Sequence, residues 1–283
     1  MAGDQPFSEF VQAPHSAPGV VSMLGYRAHG LPESVHRGLP SSKLTFILAF
    51  DDGVQAAATA PALASAAPAP IVLGGLHTTT AFVQQRSAWA GIEMTVHPLA
   101  ARPLFGVPAR ELSLTDFDGS SVLQRWGEEL HSRAVEARDW ATAFTLIQSQ
   151  LITRFDGDHR VRPELIRAWQ LLERTGGRMP ISTLAGDVAL TPRHLGTLFR
   201  REVGLSPKAV AGLIRFGRTT TTIADRLRRS GHADLARIAA DTGYSDQAHL
   251  SREFSRYAGT SPRTWMAEEF RNIQDGGHRA EAQ

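Results

Sequence analysis

The sequence predicts an α+β protein with a β-rich N-terminal half and an all-α C-terminal domain. Runs of apolar and β-branched residues, separated by turn signals, fill about residues 20–110 and predict a mostly antiparallel barrel or sandwich. Apolar residues then recur at spacings of three and four, which predicts helices over about 119–155. Near the C-terminus one two-helix pattern occurs twice, at about 182–203 and 234–258.

Two domains are the default expectation for a chain of 283 residues, since each half is long enough to bury its own core. We expect a first domain over 1–157 and a second over 158–275. Asp156-Gly157-Asp158 has the composition of a linker between them. Residues 1–20 hold three prolines and several small polar residues, so an irregular start is expected.

Four strands are expected in the first domain. They cover 43–50, 71–75, 79–83 and 91–97. The turn signal Asp51-Asp52-Gly53 closes the first of them. Residues 56–70 are rich in Ala and Pro and are predicted to form a surface loop.

Three amphipathic helices are expected before the repeats. Ser120 and Ser121 can cap the first, which extends to Ala134, and the others cover 140–155 and 163–174. Gly176-Gly177 should stop the third helix. The apolar faces of the first two suit packing on the β domain and a dimer interface equally well, and the sequence leaves both open.

The C-terminal repeat is the most specific feature of the chain. In each copy a short helix with a small Ala face is followed by a tight turn and a second helix. These second helices, near 192–202 and 246–257, should end at Gly204 and Gly259. Helix caps are expected at Ser182, Thr191, Ser206 and Ser261. This is the helix-turn-helix pattern, whose second helix fits the major groove of DNA.

The second, or recognition, helices carry residues suited to DNA on their outward faces. The positions expected to reach base edges are Arg193, Gly196, Thr197, Gln247, Ala248, Ser251 and Arg252. Arg can pair with guanine, Gln with adenine, and Thr or Ala methyls with the thymine methyl. The expected phosphate contacts are Arg200, Arg201, Ser245 and Arg256. One such helix alone would more often be a solvated surface, but a repeated pair with matched caps favours DNA binding.

From about 178 to 270 the chain resembles the DNA-binding domain of the AraC/XylS family of bacterial transcription regulators. Residues 243–254, followed by Gly259-Thr260-Ser261-Pro262, are close to that family's signature. The resemblance implies seven helices, with two helix-turn-helix units joined by a long central helix, and base reading by the residues named above. It also implies a cupin-like sensor domain for a small-molecule effector, a homodimer, double-stranded operator DNA and contact with RNA polymerase.

Two features depart from the family pattern. Gly196 has no side chain, so the first recognition helix should read fewer bases or approach the DNA more closely. A Gly inside a helix also costs roughly 1 kcal/mol relative to Ala. The segment between the two units, 209–234, is several residues longer than usual and includes Thr219-Thr220-Thr221-Thr222. The central helix is therefore expected to be longer or to bend.

Charge is unevenly distributed along the chain. Residues 160–283 carry 20 Lys and Arg against 13 Asp and Glu, or +7, whereas 1–159 carry 10 against 15, or −5. These halves give the net charge of +2. The basic half holds the repeats, as expected for a domain that lies on phosphates.

Several classes of site are excluded by composition. The chain has no Cys, which excludes disulfides, thiolate metal sites and Cys nucleophiles. It also lacks an apolar run of about 18 residues and an N-terminal basic region with an apolar core. Neither a membrane span nor a secretory signal is predicted, and a cytoplasmic protein is expected.

An alternative of another class is a ligand-binding or metal-dependent cupin-like protein whose helical domain serves partner binding. Cupin enzymes hold a metal with a His-x-His pair, which this chain lacks. Glu93 and His97 would share a strand face, but the remaining histidines are dispersed, so no metal, cofactor or catalytic residue is expected. An apolar effector pocket could be lined by residues that are equally explained as core. These are Phe46, Leu48, Val72, Phe82 and Trp89.

Overall fold

The computed structural model describes residues 6–112, 114, 117–155 and 161–274 and divides into two compact units. The N-terminal unit contains the chain up to Gly38, Lys43–Leu76 and Ala81–Val161. The C-terminal unit contains Leu39–Ser42, His77–Thr80 and the chain from Arg162 onward. The predicted linker, Asp156-Gly157-Asp158, lies outside the described residues.

The β part of the N-terminal unit consists of two antiparallel sheets. The strands are β1 Phe7–Gln12, β2 Val20–His29, β3 Ser34–Gly38, β4 Leu44–Ala49, β5 Ala56–Ala57, β6 Ile71–Gly74, β7 Ala81–Gln85 and β8 Ala88–Val96. The larger sheet has the order β1-β2-β8-β4-β6 and the smaller one β3-β7-β5. All described pairs of strands are antiparallel. The α+β fold class, with an antiparallel β half, is confirmed.

The two faces of the larger sheet are covered differently. Side chains alternate along a strand, so Phe46 and Leu48 of β4 lie on the face opposite to Ile47. Phe46 packs edge-on against Phe105, with ring centroids 5.6 Å apart, on the face that helices cover. Ile47 packs in an apolar cluster that includes Val72 and residues of the smaller sheet. The larger sheet is thus the central layer between helices and the smaller sheet.

The four described α-helices of the N-terminal unit are α1 Ala60–Leu63, α2 Ala101–Phe105, α3 Ser120–Val135 and α4 Trp140–Arg154. Three of them pack on the first of these faces, and the shortest one, α1, lies against the smaller sheet. Helix α4 begins where the ring of Trp140 lies on Gly25, so close that a Cβ at Gly25 would come within 2.5 Å of it. The Nε1–H of Trp140 donates to Glu9, at 3.0 Å. Phe144 and Ile147 are buried, so the apolar stripe of α4 packs within this unit.

Several expectations for this half are wrong. Residues 7–12 form β1 instead of an irregular start, and residues 56–70 contain β5 and α1 instead of only a loop. Pairing of β1 with β2 and of β5 with β7 creates these strands, and local composition carries no signal for such pairing. Helix α3 has no side-chain cap from Ser120 or Ser121, because Gly119 occupies the cap position. The N–H of Ser120 instead donates to Asp118, at 2.9 Å.

The C-terminal unit contains seven helices in its described part. They are α5 Pro163–Arg174, α6 Ile181–Asp187, α7 Pro192–Val203, α8 Pro207–Ser230, α9 Leu235–Thr242, α10 Gln247–Ala258 and α11 Pro262–Gln274. Trp169 of α5 stacks on Phe199 of α7, with centroids 6.0 Å apart. Phe216 of α8 packs against Phe254 and Tyr257 of α10, at 5.2 and 4.9 Å. Each recognition helix is therefore anchored by an aromatic contact.

The central helix α8 runs unbroken through Thr219-Thr220-Thr221-Thr222. Its 24 residues span roughly 36 Å at the rise of an α-helix. The hydroxyls of Thr219 and Thr222 donate to carbonyls one turn earlier, at 2.9 and 2.7 Å, which keeps these β-branched residues inside the helix. No helix in the described residues has the length and apolar character needed to cross a membrane.

Candidate nucleic-acid interface

The first two-helix unit is formed by α6 and α7. The Oγ1 of Thr191 accepts the N–H of His194 at 3.2 Å, and Pro192 occupies the first turn, as predicted. Gly204 ends α7 with φ of 79°, a left-handed conformation that favours glycine. The predicted cap at Ser182 is wrong. Helix α6 begins at Ile181 after Pro180, whose fixed φ suits the entry to a helix, so Ser182 already lies inside it.

The second unit, α9 and α10, is capped by two carboxylates. Asp234 accepts the N–H groups of Ala236 and Arg237, at 2.9 and 3.2 Å. Asp246 accepts the N–H of His249 at 2.6 Å, and this bond holds the pKa of Asp246 below its ordinary value. The predicted reading residues begin immediately after this cap. The start of α10 is therefore fixed where it would meet DNA.

Replacing Asp246 with Ala should lower the melting temperature of the C-terminal unit, since the N–H of His249 loses its acceptor. Asp246→Asn is the matched control, because its amide oxygen can accept the bond but carries no charge. The carboxylate's contribution is fully present above the unfolded pKa of about 3.9 and is lost as the pH falls through the lowered folded pKa. The advantage of the wild type over the Asn variant in thermal melts should shrink in this acid range. A pH-independent difference would contradict the charge effect.

Two of the three predicted reading residues on α7 are exposed. Arg193 and Thr197 lie on the surface, and the Thr197 hydroxyl donates to the Arg193 carbonyl at 3.1 Å, which leaves its methyl free for an apolar contact. Gly196 is buried, although a Cβ built on it would meet no core residue, so its position stays on the outward face of α7. The guanidinium of Arg200 covers this position, with its Nη1 3.3 Å from the place of a Cβ on Gly196. Arg200 and Arg201 are both exposed.

On α10, three of the four predicted reading residues are exposed and one is half-buried. Gln247, Ala248 and Arg252 lie on the surface, whereas Ser251 is partly covered. The exposed Ser245 has its hydroxyl 3.1 Å from Nδ1 of His249. These five positions surround the capped start of α10.

Arg256, predicted to contact phosphate, is held on its own helix. It is exposed, and its guanidinium lies 4.5 Å from the centroid of the Tyr257 ring. Its Nη2 is 3.7 Å from Oε1 of Glu253. The phosphate role of Arg256 stays a prediction.

An ion pair that the sequence reasoning missed joins α8 to α10. Nη2 of Arg215 lies 3.1 and 3.0 Å from the two carboxylate oxygens of Glu253. The side chains are 20% and 9% exposed, and the Arg215 guanidinium also lies 5.1 Å from the ring centroid of Tyr244. The available signal was a charge beside core residues on each helix, at Arg215 next to Phe216 and at Glu253 next to Phe254.

Burial and charge act together at this ion pair. Burial alone would lower the pKa of Arg215, but the neighbouring Glu253 carboxylate outweighs it and raises that pKa. Burial, followed by the Glu253 charge, raises the pKa of Tyr244 to about 12. Arg215 is thus a charged group held at the α8–α10 contact, where it positions the second recognition helix.

The five residues predicted to line an effector pocket are not brought together. Phe46 and Leu48 lie on the helix-covered face of the larger sheet, and Val72 lies on the face toward the smaller sheet. The ring of Phe82 lies under the Arg37 guanidinium at 5.7 Å, and Trp89 packs on Tyr26 at 4.9 Å. Strand alternation separates them, because register rather than apolar character decides which face each residue occupies.

The predicted pairing of Glu93 and His97 on one strand face is also wrong. Strand β8 ends at Val96, and Nδ1 of His97 accepts the N–H of Leu99 at 3.2 Å to begin a short 3-10 helix. Across the described residues, no three His, Asp or Glu side chains are arranged to hold a metal ion.

The C-terminal unit is similar to known DNA-binding regulators. A family model described as a helix-turn-helix domain matches residues 184–268. The HTH-type transcriptional regulator Rv1931c of Mycobacterium tuberculosis is 35% identical over 89 residues, which are 31% of this chain and 32% of that protein. The chain thus matches about a third of the length of this curated relative. Both findings agree with the prediction of a helix-turn-helix domain in this part of the chain.

Two solved structures show partial similarity to the chain. The C-terminal domain of AraT, a response regulator from Geobacillus stearothermophilus, gives a TM-score of 0.34 at 23% identity, over 38% of this chain and 88% of that one. ToxT from Vibrio cholerae O395 gives a TM-score of 0.45 at 12% identity, over 87% of this chain and 96% of that one.

Proposed function

We propose that this chain, whose residues 184–268 form a helix-turn-helix domain of the AraC/XylS type, regulates transcription by binding double-stranded DNA at specific sequences. The observation that carries the proposal is the pairing of two capped recognition helices, α7 and α10, in one unit with exposed residues at their N-terminal ends. The N-terminal residues of a recognition helix are the ones that meet base edges.

Each recognition helix supplies groups that match bases. On α7, Arg193 can donate two hydrogen bonds to guanine and the Thr197 methyl can touch thymine. Gly196 has no side chain that could reach a base. On α10 the reading residues are Gln247, Ala248, Ser251 and Arg252. The exposed Arg201, Ser245 and Arg256 are assigned to phosphates, which fix the position of the helices without specifying sequence.

Selection of bound DNA from a random duplex library tests the proposal. The full chain should select a motif of two short blocks about one helical turn apart, one for each recognition helix. Replacing Arg252 with Ala should remove roughly 1–3 kcal/mol of discrimination at a single base pair of one block. Competition binding on duplexes that differ at that pair measures the loss.

Arg256→Ala is the matched control, because it removes an exposed Arg from the same helix. It should weaken binding to all sequences alike and reduce the salt dependence without changing the motif. If the wild type selects no motif and its binding disappears with added salt, sequence-specific binding is refuted. A role of the helical domain in binding protein partners would then take its place.

Control by a small molecule at the N-terminal unit, in a homodimer, completes the proposal and is supported by the AraC/XylS resemblance. The N-terminal unit has its own buried core, as a separate sensor domain requires. Sedimentation of the full chain with and without its selected duplex gives the oligomeric state. A compound that binds the full chain and leaves its affinity for that duplex unchanged would contradict its role as an effector.

A further inference from the structure

Arg200 occupies the space that Gly196 leaves on the outward face of α7. A Cβ at Gly196 would lie 3.3 Å from Nη1 of Arg200, and no other described heavy atom outside the nearby helix backbone comes within 4 Å of that position. Residues four apart share a helix face, and long side chains lean toward the helix N-terminus. The guanidinium of Arg200 therefore lies about one turn nearer the N-terminus than its own Cα.

We infer that Arg200 reads a base instead of holding a phosphate, and so determines sequence specificity in place of the missing side chain at Gly196. This inference rests on the proposed DNA-binding function. The guanidinium lies at the level of Gly196, between Arg193 and Thr197, where a recognition helix meets base edges. An arginine at that level can donate two hydrogen bonds to N7 and O6 of guanine.

Arg201 provides the contrast. It is equally exposed and only one residue further along α7, but it points to a different side of the helix because successive residues are rotated by about 100°. Arg201 follows Thr197 by four residues and not Gly196, and no atom of its side chain lies within 4 Å of the Gly196 Cβ position. One arginine of this adjacent pair is thus aimed at bases, and the other remains a phosphate contact.

The inference predicts a second guanine in the block read by α7, beside the one contacted by Arg193. Selection from the same duplex library, repeated with Arg200→Ala, should retain the motif except at this base pair. The preference there should fall by roughly 10- to 100-fold, the range of a bidentate Arg–guanine contact. Arg201→Ala is the matched control, and it should weaken binding to all duplexes without changing any base preference.

Gly196→Ala gives an independent test that retains Arg200. The added methyl meets only the flexible end of the Arg200 side chain, so the fold is kept while the guanidinium is displaced by a few tenths of an ångström or more. Its base preference should change at the same pair that Arg200→Ala affects. Thermal melts of both variants check that α7 is intact.

The outcomes separate this inference from the function it rests on. If the wild type selects a motif but Arg200→Ala only weakens binding uniformly, as Arg201→Ala does, Arg200 is a phosphate contact and the inference is overturned. A change of preference at different base pairs in the Gly196→Ala and Arg200→Ala variants would overturn it as well. If the wild type selects no motif at all, the proposed function fails first.

Discussion

Replacing Glu253 with Ala should destabilise the C-terminal unit by about 3 kcal/mol, the lower end of the effect for a buried ion pair, because this pair is only partly buried. The reason is that Arg215 stays charged at the contact of α8 and α10 but loses the carboxylate that bonds it at 3.0 and 3.1 Å. Urea unfolding of the full chain measures the loss. Binding to the selected duplex should weaken mainly through the block read by α10.

Two further variants separate the charge from the contact it makes. Glu253→Gln keeps the side-chain shape and one acceptor, so its effect should be smaller than that of Ala. The double variant Arg215→Met/Glu253→Leu removes both charges and should recover most of the stability, since apolar pairs of similar volume often replace buried ion pairs. If the double variant recovers its stability but not its base preference in the block read by α10, the ion pair serves to position that helix. A Glu253→Ala variant as stable as the wild type would refute its role.

Phe216→Ala should have a comparable or larger effect, a loss of about 3–5 kcal/mol in the free energy of unfolding of the C-terminal unit. Phe216 is fully buried in α8, and its ring packs on Phe254 and Tyr257 of α10. Truncation would leave a cavity between the central helix and the second recognition helix. Hydrogen exchange of peptides from α10 measures the loss locally.

Two control variants test this prediction. Phe216→Leu retains most of the volume and should cost less than half as much as Ala. Phe7→Ala truncates an aromatic side chain that is 43% exposed in the N-terminal unit, and it should leave exchange in α10 unchanged. Equal protection of α10 in the wild type and in Phe216→Ala would contradict the aromatic anchor.

The sequence predicts the C-terminal unit well because its signals are local. A cap such as Thr191 or Ser206 and a stop such as Gly204 act within one helical turn, so the residue type and its spacing define the helix boundary. The ion pair of Arg215 with Glu253 is not predicted by such local signals, because it joins positions 38 residues apart. The position of the Arg200 guanidinium is also not predictable from the sequence, because a glycine does not indicate which neighbouring side chain fills the space beside it.

The N-terminal unit is less predictable because strand pairing decides its structure. Strand β1 exists through its register with β2, where Phe10 lies opposite Tyr26. Apolar residues such as Phe46 and Val72 were grouped by character alone, whereas pleating sends them to opposite sides of the sheet. The predicted fold class is unaffected by this error, because it requires only that the strands exist. A predicted pocket also requires knowing which face of the sheet each side chain occupies.

On the proposed function, the unbroken α8 helix has a consequence for how the DNA sites of this protein can evolve. If the connection were flexible, the two recognition helices could bind DNA blocks at several different separations, as tethered domains do. A continuous helix of roughly 36 Å fixes their separation and rotational phase, and this length is comparable to one turn of B-DNA. Insertion of a single base pair between the blocks would turn one of them away from its helix. Point substitutions should therefore tune such operators gradually, whereas insertions and deletions should abolish recognition at once.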